Sequence, residues 1–210
     1  MNELRFFNPY AAIRQTANRL PHWQQEGATY FVTFRLADSV PANLLAQWET
    51  QRRIWLGVHP EPWTQEVESQ YHRRFSGAIE RWLDSGHGQC LLRRPDYAQI
   101  VADTLHYFDG TRVLMISFVV MPSHVHALFV QNPVWLLEKL LRSWKRFTGK
   151  ELNALVDRSG TFWQRDYFDR LIRDEKHFAN CVRYIRRNPP RARLPEGTYI
   201  LYESEIALRY

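Results

Sequence analysis

The spacing of apolar residues along the chain predicts four strands. YFVTFRL (30–36) alternates and is rich in β-forming residues, and RVLMISFVVM (112–121) is the most apolar run, so both are predicted as strands. HVHALFV (124–130) follows after only a proline-serine break, which predicts an antiparallel hairpin with the preceding strand. TFWQRDYFDRLI (161–172) is predicted as a fourth strand or an extended segment.

Apolar residues that recur at intervals of three and four predict the helices. These are expected after Pro41, near 75–83, from Pro95 to Asp109, from Pro133 to about Leu155, and from Asp174 until Pro189 and Pro190 stop the last one. We expect a single domain (1–210) with an irregular N-terminal arm (1–29), an insertion (about 57–95) and a short tail (195–210). The order of elements predicts an α+β fold, in which a small, mostly antiparallel sheet carries helices on one face.

Composition excludes several classes of protein. With 45% hydrophobic and 14% aromatic residues among 210, the chain is too apolar to be disordered. No apolar run reaches the roughly 18 residues of a membrane span, and the first residues lack a signal-peptide pattern, so we expect a cytoplasmic, nucleoid-associated protein. Cys90 and Cys181 alone form neither a disulfide framework nor a zinc site, and we expect both to be reduced.

An excess of positive charge favours an anionic partner. The net charge is +6, and nucleic acid is the commonest partner of a basic protein. Basic residues form a stripe on the helix after Pro133 and recur on the last helix. The six candidate nucleic-acid contacts are Lys139, Arg142, Lys145, Arg146, Arg183 and Arg187. The alternative interpretation of such a stripe is a solvated helix face.

Two histidines occur in a pattern that can bind a metal ion. His124 and His126 are two residues apart in a predicted strand, so their side chains point to the same face, while Val125 points into the core. Imidazole is a common ligand of Mn, Zn and Fe. The alternative is a pair of half-buried histidines that face the helices.

The last helix carries a candidate nucleophile beside its buried stripe. The stripe itself consists of Phe178, Cys181, Val182 and Ile185. Tyr184 and Asn188 lie together on its flank, one turn apart. Asn188 can complete a metal site through its amide oxygen, and Tyr184 can attack a phosphate as a covalent nucleophile. Amphipathic packing is the alternative for Tyr184, and Tyr167 is the rival nucleophile.

Several segments together resemble a known family. VVMPSHVHALF resembles the His-hydrophobic-His (HUH) motif of single-tyrosine transposases, and FWQRDYFDRLIRDEKHFANCVRYIRRNPPRARL resembles their tyrosine helix with its Asn-Pro signature. WLDSGHGQCLLRRPDYA and YFVTFRLADSVP resemble the branch called REP-associated tyrosine transposases. Three residues depart from the pattern: Ser123 replaces a frequent Asn, and Pro190 and Arg193 replace the usual Val and Gly.

The resemblance implies a fold, a substrate and roles for particular residues. The implied fold is a ferredoxin-like/RRM-like sheet with helices, and the substrate is single-stranded DNA with hairpins, such as palindromic repeats. His124, His126 and Asn188 match the ligands of Mg²⁺ or Mn²⁺, and Tyr184 matches the nucleophile that forms a 5′-phosphotyrosine.

Other functions are compatible with the same residues. A domesticated relative would bind hairpins without cutting them, and a metal-dependent nuclease would use water and leave no protein–DNA bond. A structural RNA-binding protein is a third alternative, although the strands lack an RNP1-like aromatic signature. The protein is a monomer or a homodimer, and the sequence leaves both open.

Overall fold

The computed structural model describes residues 4–17, 21–60 and 63–210. The strands are β1 (Arg14–Ala17), β2 (Pro21–Gln24), β3 (Thr29–Arg35), β4 (Val113–Val120), β5 (His124–Gln131), β6 (Phe168–Leu171) and β7 (Ile200–Glu203). The helices are α1 (Ala42–Val58), α2 (Gln65–Tyr71), α3 (Gly77–Asp84), α4 (Pro95–His106), α5 (Leu137–Leu155) and α6 (Glu175–Arg191), and a π-helical turn (His72–Ser76) joins α2 to α3. In this part of the chain, no helix is long and apolar enough to cross a membrane.

Five strands form one antiparallel sheet in the order β6-β3-β5-β4-β7. The predicted α+β class and the antiparallel hairpin of β4 and β5 are confirmed. The three central strands, β3, β5 and β4, are buried along almost their whole length because both faces of the sheet are covered, whereas β6 and β7 at the edges are half-buried.

Helices cover both faces of the sheet, not one as predicted. Alternate residues of β5 enter two separate apolar clusters: Phe129 packs with α4 and α5, whereas Leu128 packs with α6. The apolar stripe of α6 requires a sheet face of its own because the opposite face is already occupied by the other two helices. The two histidines of β5 share the face that α6 covers.

The chain divides into two compact units, residues 1–37 with 91–210 and residues 38–90. The smaller unit begins earlier than the predicted insertion of residues 57–95 because α1 belongs to it. Trp48 and Trp55 of α1 pack against Phe75, with ring centroids 6.2 and 5.7 Å apart. The smaller unit contains five arginines and seven carboxylates, so the net positive charge of the protein resides in the larger unit.

Three local predictions were wrong. The N-terminal arm is not wholly irregular, since β1 and β2 form an antiparallel pair. Helix α5 begins at Leu137, four residues after the proline that was expected to open it. Pro189 and Pro190 do not stop α6, which continues to Arg191, because the proline φ is itself helical and only two backbone donors of the last turn are lost. The predicted cap is present, with the Asp174 carboxylate accepting from the His177 N–H.

Candidate active site

Strand β5 places two buried histidines side by side on the α6 face. His124 and His126 are 1% and 2% exposed, and their ring centroids lie 4.7 Å apart. A hydroxyl group contacts the Nδ1 atom of each ring: Ser123 Oγ lies 3.1 Å from His124, and Thr33 Oγ1 lies 2.7 Å from His126. The Nε2 atoms are therefore the nitrogens that the pair can offer to a cation.

The surroundings keep both imidazoles neutral. Burial, together with the nearby charge of Arg35, lowers the pKa of His124 to about 3. Burial also holds the pKa of His126 well below its usual range, and His124, Arg170 and Arg191 add to this effect. Since a metal ion binds the neutral ring, no proton has to be removed from these side chains at neutral pH.

The Tyr184 ring of α6 contacts the second histidine of this pair, His126. Its centroid is 5.2 Å from that of His126, with the rings nearly perpendicular. Phe31 of β3 contacts both residues, stacking on His126 at 5.5 Å and meeting the edge of Tyr184 at 5.7 Å. Tyr184 is half-buried, so the sheet and α6 together bring the candidate nucleophile to the candidate metal ligands.

One turn further along α6, Asn188 is 3% exposed, and its Oδ1 atom is buried without a hydrogen-bond partner in the described ranges. Leaving such an oxygen unsatisfied costs about 1–3 kcal/mol, so an orphaned amide oxygen here requires a reason. No cluster of three or more His, Cys, Asp or Glu side chains able to hold a metal ion occurs among the described residues. In this part of the chain, a third ligand beside the two histidines would have to be of another type, and the amide oxygen of Asn188 could supply it.

Tyr167, the rival nucleophile, lies on the other side of the sheet. It is buried in the cluster that packs with α5, and burial strongly raises the pKa of its hydroxyl. The histidines face the opposite cluster, so the structure separates Tyr167 from them. The two tyrosines thus lie on opposite faces of the sheet, and a side chain cannot cross it.

A basic groove of about 550 Å³ runs between α5 and residues 160–167. Arg142, Lys145 and Arg146 line it as one face of α5, whereas Lys139 is exposed but does not line it. Lys150 and Arg165 also line the groove and were not among the sequence candidates. Continuing the four-residue spacing from Arg146 would have found Lys150. Arg165 lies on another segment, and only the tertiary structure places it there.

The remaining two candidates lie on α6. Arg187 is exposed, and Arg183 is half-buried and donates to the side-chain oxygen of Asn180 at 2.8 Å. Between them, Arg186 forms an ion pair with Glu203 of β7 at 2.7 Å. Arg186 therefore anchors α6 to the C-terminal strand, whereas the guanidinium groups of Arg183 and Arg187 lie nearer the surface.

The chain is similar to known proteins in sequence and in structure. Residues 94–188 match the family model described as "Transposase IS200 like". This segment contains the histidine pair, Tyr184 and Asn188. A solved structure described as "Structure of the REP associates tyrosine transposase bound to a REP hairpin" is similar at 16% sequence identity, with a TM-score of 0.43, over 83% of this chain and 74% of that chain. No curated protein matches the chain.

Proposed function

Because residues 94–188 of this chain match the IS200-like transposase family model, we propose that the protein is a tyrosine endonuclease and strand transferase that cuts single-stranded DNA at hairpin-forming repeats. The observation that carries the proposal is the position of the Tyr184 ring, 5.2 Å from the ring of His126. A nucleophile and two neutral nitrogen ligands on one sheet face are the components that metal-dependent phosphoryl transfer requires.

Proteins of this family generally use a divalent metal ion. Here His124, His126 and Asn188 would hold Mg²⁺ or Mn²⁺, because two imidazoles are buried neutral and the amide oxygen is buried without a partner. Three protein ligands leave coordination positions for phosphate oxygens. When bound, such an ion neutralises charge on the phosphate under attack.

The covalent step is an exchange of phosphoester bonds. The Tyr184 hydroxyl oxygen attacks phosphorus and gives up its proton, the bond from phosphorus to the 3′ oxygen breaks, and that oxygen takes a proton to become a 3′-hydroxyl. The product is a 5′-phosphotyrosine, which conserves the ester bond. A 3′-hydroxyl can then reverse the step and join DNA without ATP. The ordinary pKa of tyrosine is about 10, so loss of the proton needs the electropositive surroundings of the site.

The basic side chains of the larger unit supply binding. Arg142, Lys145 and Arg146 line the α5 groove, and Lys139 extends the positive charge along the same helix. On α6, Arg183 and Arg187 add charge beside the nucleophile. A flexible single strand with a hairpin fits such separated basic surfaces, because its backbone can bend between them.

Covalent trapping tests the proposal. Purified protein is mixed with Mn²⁺ or Mg²⁺ and 5′- or 3′-labelled single-stranded hairpins, including those that flank its own gene, and is then denatured on a gel. We expect a metal-dependent protein–DNA adduct that disappears in Tyr184→Phe and persists in Tyr167→Phe. Loss of the adduct in Tyr167→Phe alone would identify the other tyrosine as the nucleophile. Cut DNA without an adduct would support a water-using nuclease, and bound but uncut DNA a hairpin-binding protein.

A further inference from the structure

Arg170 reaches the tyrosine site from the edge strand of the sheet. In the β3–β6 pair it lies directly opposite Phe31, and paired residues of antiparallel strands point to the same face. Phe31 is the residue that contacts both His126 and Tyr184. Arg170 is half-buried there, on the sheet face that carries the candidate metal ligands and that α6 covers.

The positive charge of Arg170 affects the pKa values of groups on this face of the sheet. It contributes to lowering the pKa of His126, and it opposes the burial that raises the pKa of the Cys181 thiol on α6. The neighbouring carboxylate of Asp169 acts on the other face, where it helps to raise the pKa values of Tyr30 and Tyr167. Alternation along β6 thus separates the arginine from the acid beside it in sequence.

No hydrogen bond or ion pair is formed by the Arg170 side chain within residues 4–17, 21–60 and 63–210, in contrast to Arg186, which is paired with Glu203. A half-buried guanidinium without an acidic partner keeps its N–H donors for water or for an anion that reaches the site, and an anion forms the stronger, charge-assisted hydrogen bonds. The groups that the structure connects with it are the Phe31 ring, the neutral His126 imidazole and the Cys181 thiol, whose pKa is raised, and none of them supplies a negative charge. The described residues therefore leave this guanidinium for an anion of a bound ligand.

We propose that Arg170 is a catalytic residue that binds a nonbridging oxygen of the DNA phosphate attacked by Tyr184. This inference rests on the proposed function. A planar guanidinium donates two parallel hydrogen bonds to a phosphate, and these bonds strengthen as negative charge accumulates on the nonbridging oxygens during the attack. Arg170 therefore acts mainly on the rate of the covalent step and less on the affinity for DNA.

Neutralising the phosphate separates this role from a structural one. Single-turnover adduct formation is measured for wild type, Arg170→Gln and Arg170→Lys, with a phosphodiester or a methylphosphonate at the cleaved position. On the phosphodiester, we expect Arg170→Gln to slow the reaction about 10²–10³-fold, as is typical when one charge-stabilising donor is lost, and Arg170→Lys to slow it less. On the methylphosphonate, which lacks one negative charge, the wild type and Arg170→Gln should react within about threefold of each other.

The matched control is Arg173→Gln, an exposed arginine just beyond β6, which should react like the wild type on both substrates. If Arg170→Gln slows the reaction equally on both substrates, the residue has a purely structural role. If Arg170→Gln reacts with the phosphodiester at the wild-type rate, the proposal is also overturned. Thermal unfolding of each variant checks that it is folded.

A binding measurement distinguishes failure of this inference from failure of the proposed function. In the Tyr184→Phe background, a single methylphosphonate is moved through the unpaired flank of a hairpin, and affinity is measured by fluorescence anisotropy. If Arg170 contacts a phosphate, the methylphosphonate at one position should weaken DNA binding by the Tyr184→Phe protein. The same substitution should not weaken binding by the double variant that also carries Arg170→Gln. This result is obtainable even if no adduct forms, and its absence overturns the contact itself.

Discussion

The hydroxyl oxygen of Thr33 lies 2.7 Å from Nδ1 of His126, across the antiparallel pair of β3 and β5. A threonine hydroxyl can either donate or accept a hydrogen bond, so the contact is compatible with both tautomers of the ring. Only the tautomer in which Nδ1–H donates to Thr33 leaves the Nε2 lone pair for a cation. Thr33 therefore orients the ring and, by accepting from Nδ1–H, can stabilise its metal-binding form.

Replacing Thr33 tests this relationship. Thr33→Val keeps the shape of the side chain and removes the acceptor, so we expect Mn²⁺ affinity to fall about 10-fold or more, as is usual when a partner of a metal-bound histidine is lost. Thr33→Ser retains the hydroxyl and should bind Mn²⁺ like the wild type. Titration followed by the electron paramagnetic resonance signal of free Mn²⁺ measures both affinities. Indistinguishable binding by the two variants would mean that the hydroxyl does not orient the ring.

Asn188 should affect stability and activity in opposite directions. Removing its buried, unpartnered oxygen in Asn188→Leu should stabilise the metal-free protein by about 1 kcal/mol, because the cost of burying that oxygen disappears. The same change should abolish tight Mn²⁺ binding and adduct formation. Urea denaturation in the presence of a chelator gives the stability, with Asn180→Leu on the exposed face of α6 as the control. A large loss of stability would show that the Asn188 side chain holds the fold together.

The residues that the sequence located best are those fixed by local periodicity. The spacing of two in β5 puts both histidines on one face, and the spacing of four in α6 puts Asn188 one turn after Tyr184, whatever surrounds them. Which of Tyr184 and Tyr167 lies near the histidines depends on which sheet face each segment covers. The sequence favoured Tyr184 because Asn188 follows it by one turn and because of the resemblance, and the structure places the Tyr184 ring beside His126.

Other features required contacts between distant segments. Arg170 lies in a segment whose strand character was recognised, but its place beside Phe31 is set by the pairing of β6 with β3. Arg165 reaches the groove from a segment without regular structure. Helix α1 belongs to the smaller unit because its tryptophans pack on Phe75, a pairing that no local pattern specifies.

Lys145 should make nucleic-acid binding sensitive to mildly alkaline pH. Its ammonium donates to the carbonyl oxygen of Arg165 at 2.6 Å, and burial lowers its pKa to about 8. The groove therefore loses one positive charge as the pH rises through 8. Hairpin affinity measured by anisotropy should fall between pH 7 and 9.5 in the wild type, with a shallower salt dependence at the higher pH. Lys145→Arg stays charged and should show little change, so an equal fall in both proteins would contradict the assignment.

The same lysine has a predictable effect on stability. Its pKa in the folded protein, about 8, is below the value of about 10.4 expected in the unfolded chain. The folded state thus binds fewer protons between these two values, and the contribution of Lys145 to stability rises as the pH increases through this window. Below pH 8 the penalty for burying the charge is present in full. Lys145→Met lacks this contribution. Raising the pH from 7 to 10 should therefore increase the unfolding free energy of the wild type relative to that of the variant.

Arg193 adopts a backbone conformation that glycine adopts more easily. Its φ of 53° lies in the left-handed region, just after α6 ends, at a position where the resembling sequences usually carry Gly. A non-glycine residue in this conformation lowers the free energy of unfolding by about 1–2 kcal/mol. Replacing it with glycine removes this penalty, but the greater freedom of glycine in the unfolded chain offsets part of the gain. Arg193→Gly should therefore raise the free energy of unfolding by about 0.5–1 kcal/mol, whereas Arg191→Gly, inside the last turn of α6, should lower it by a similar amount. Urea midpoints of the two variants, at unchanged transition slope, measure both effects. A destabilised Arg193→Gly would show that the arginine side chain contributes more to this helix end than its backbone conformation costs.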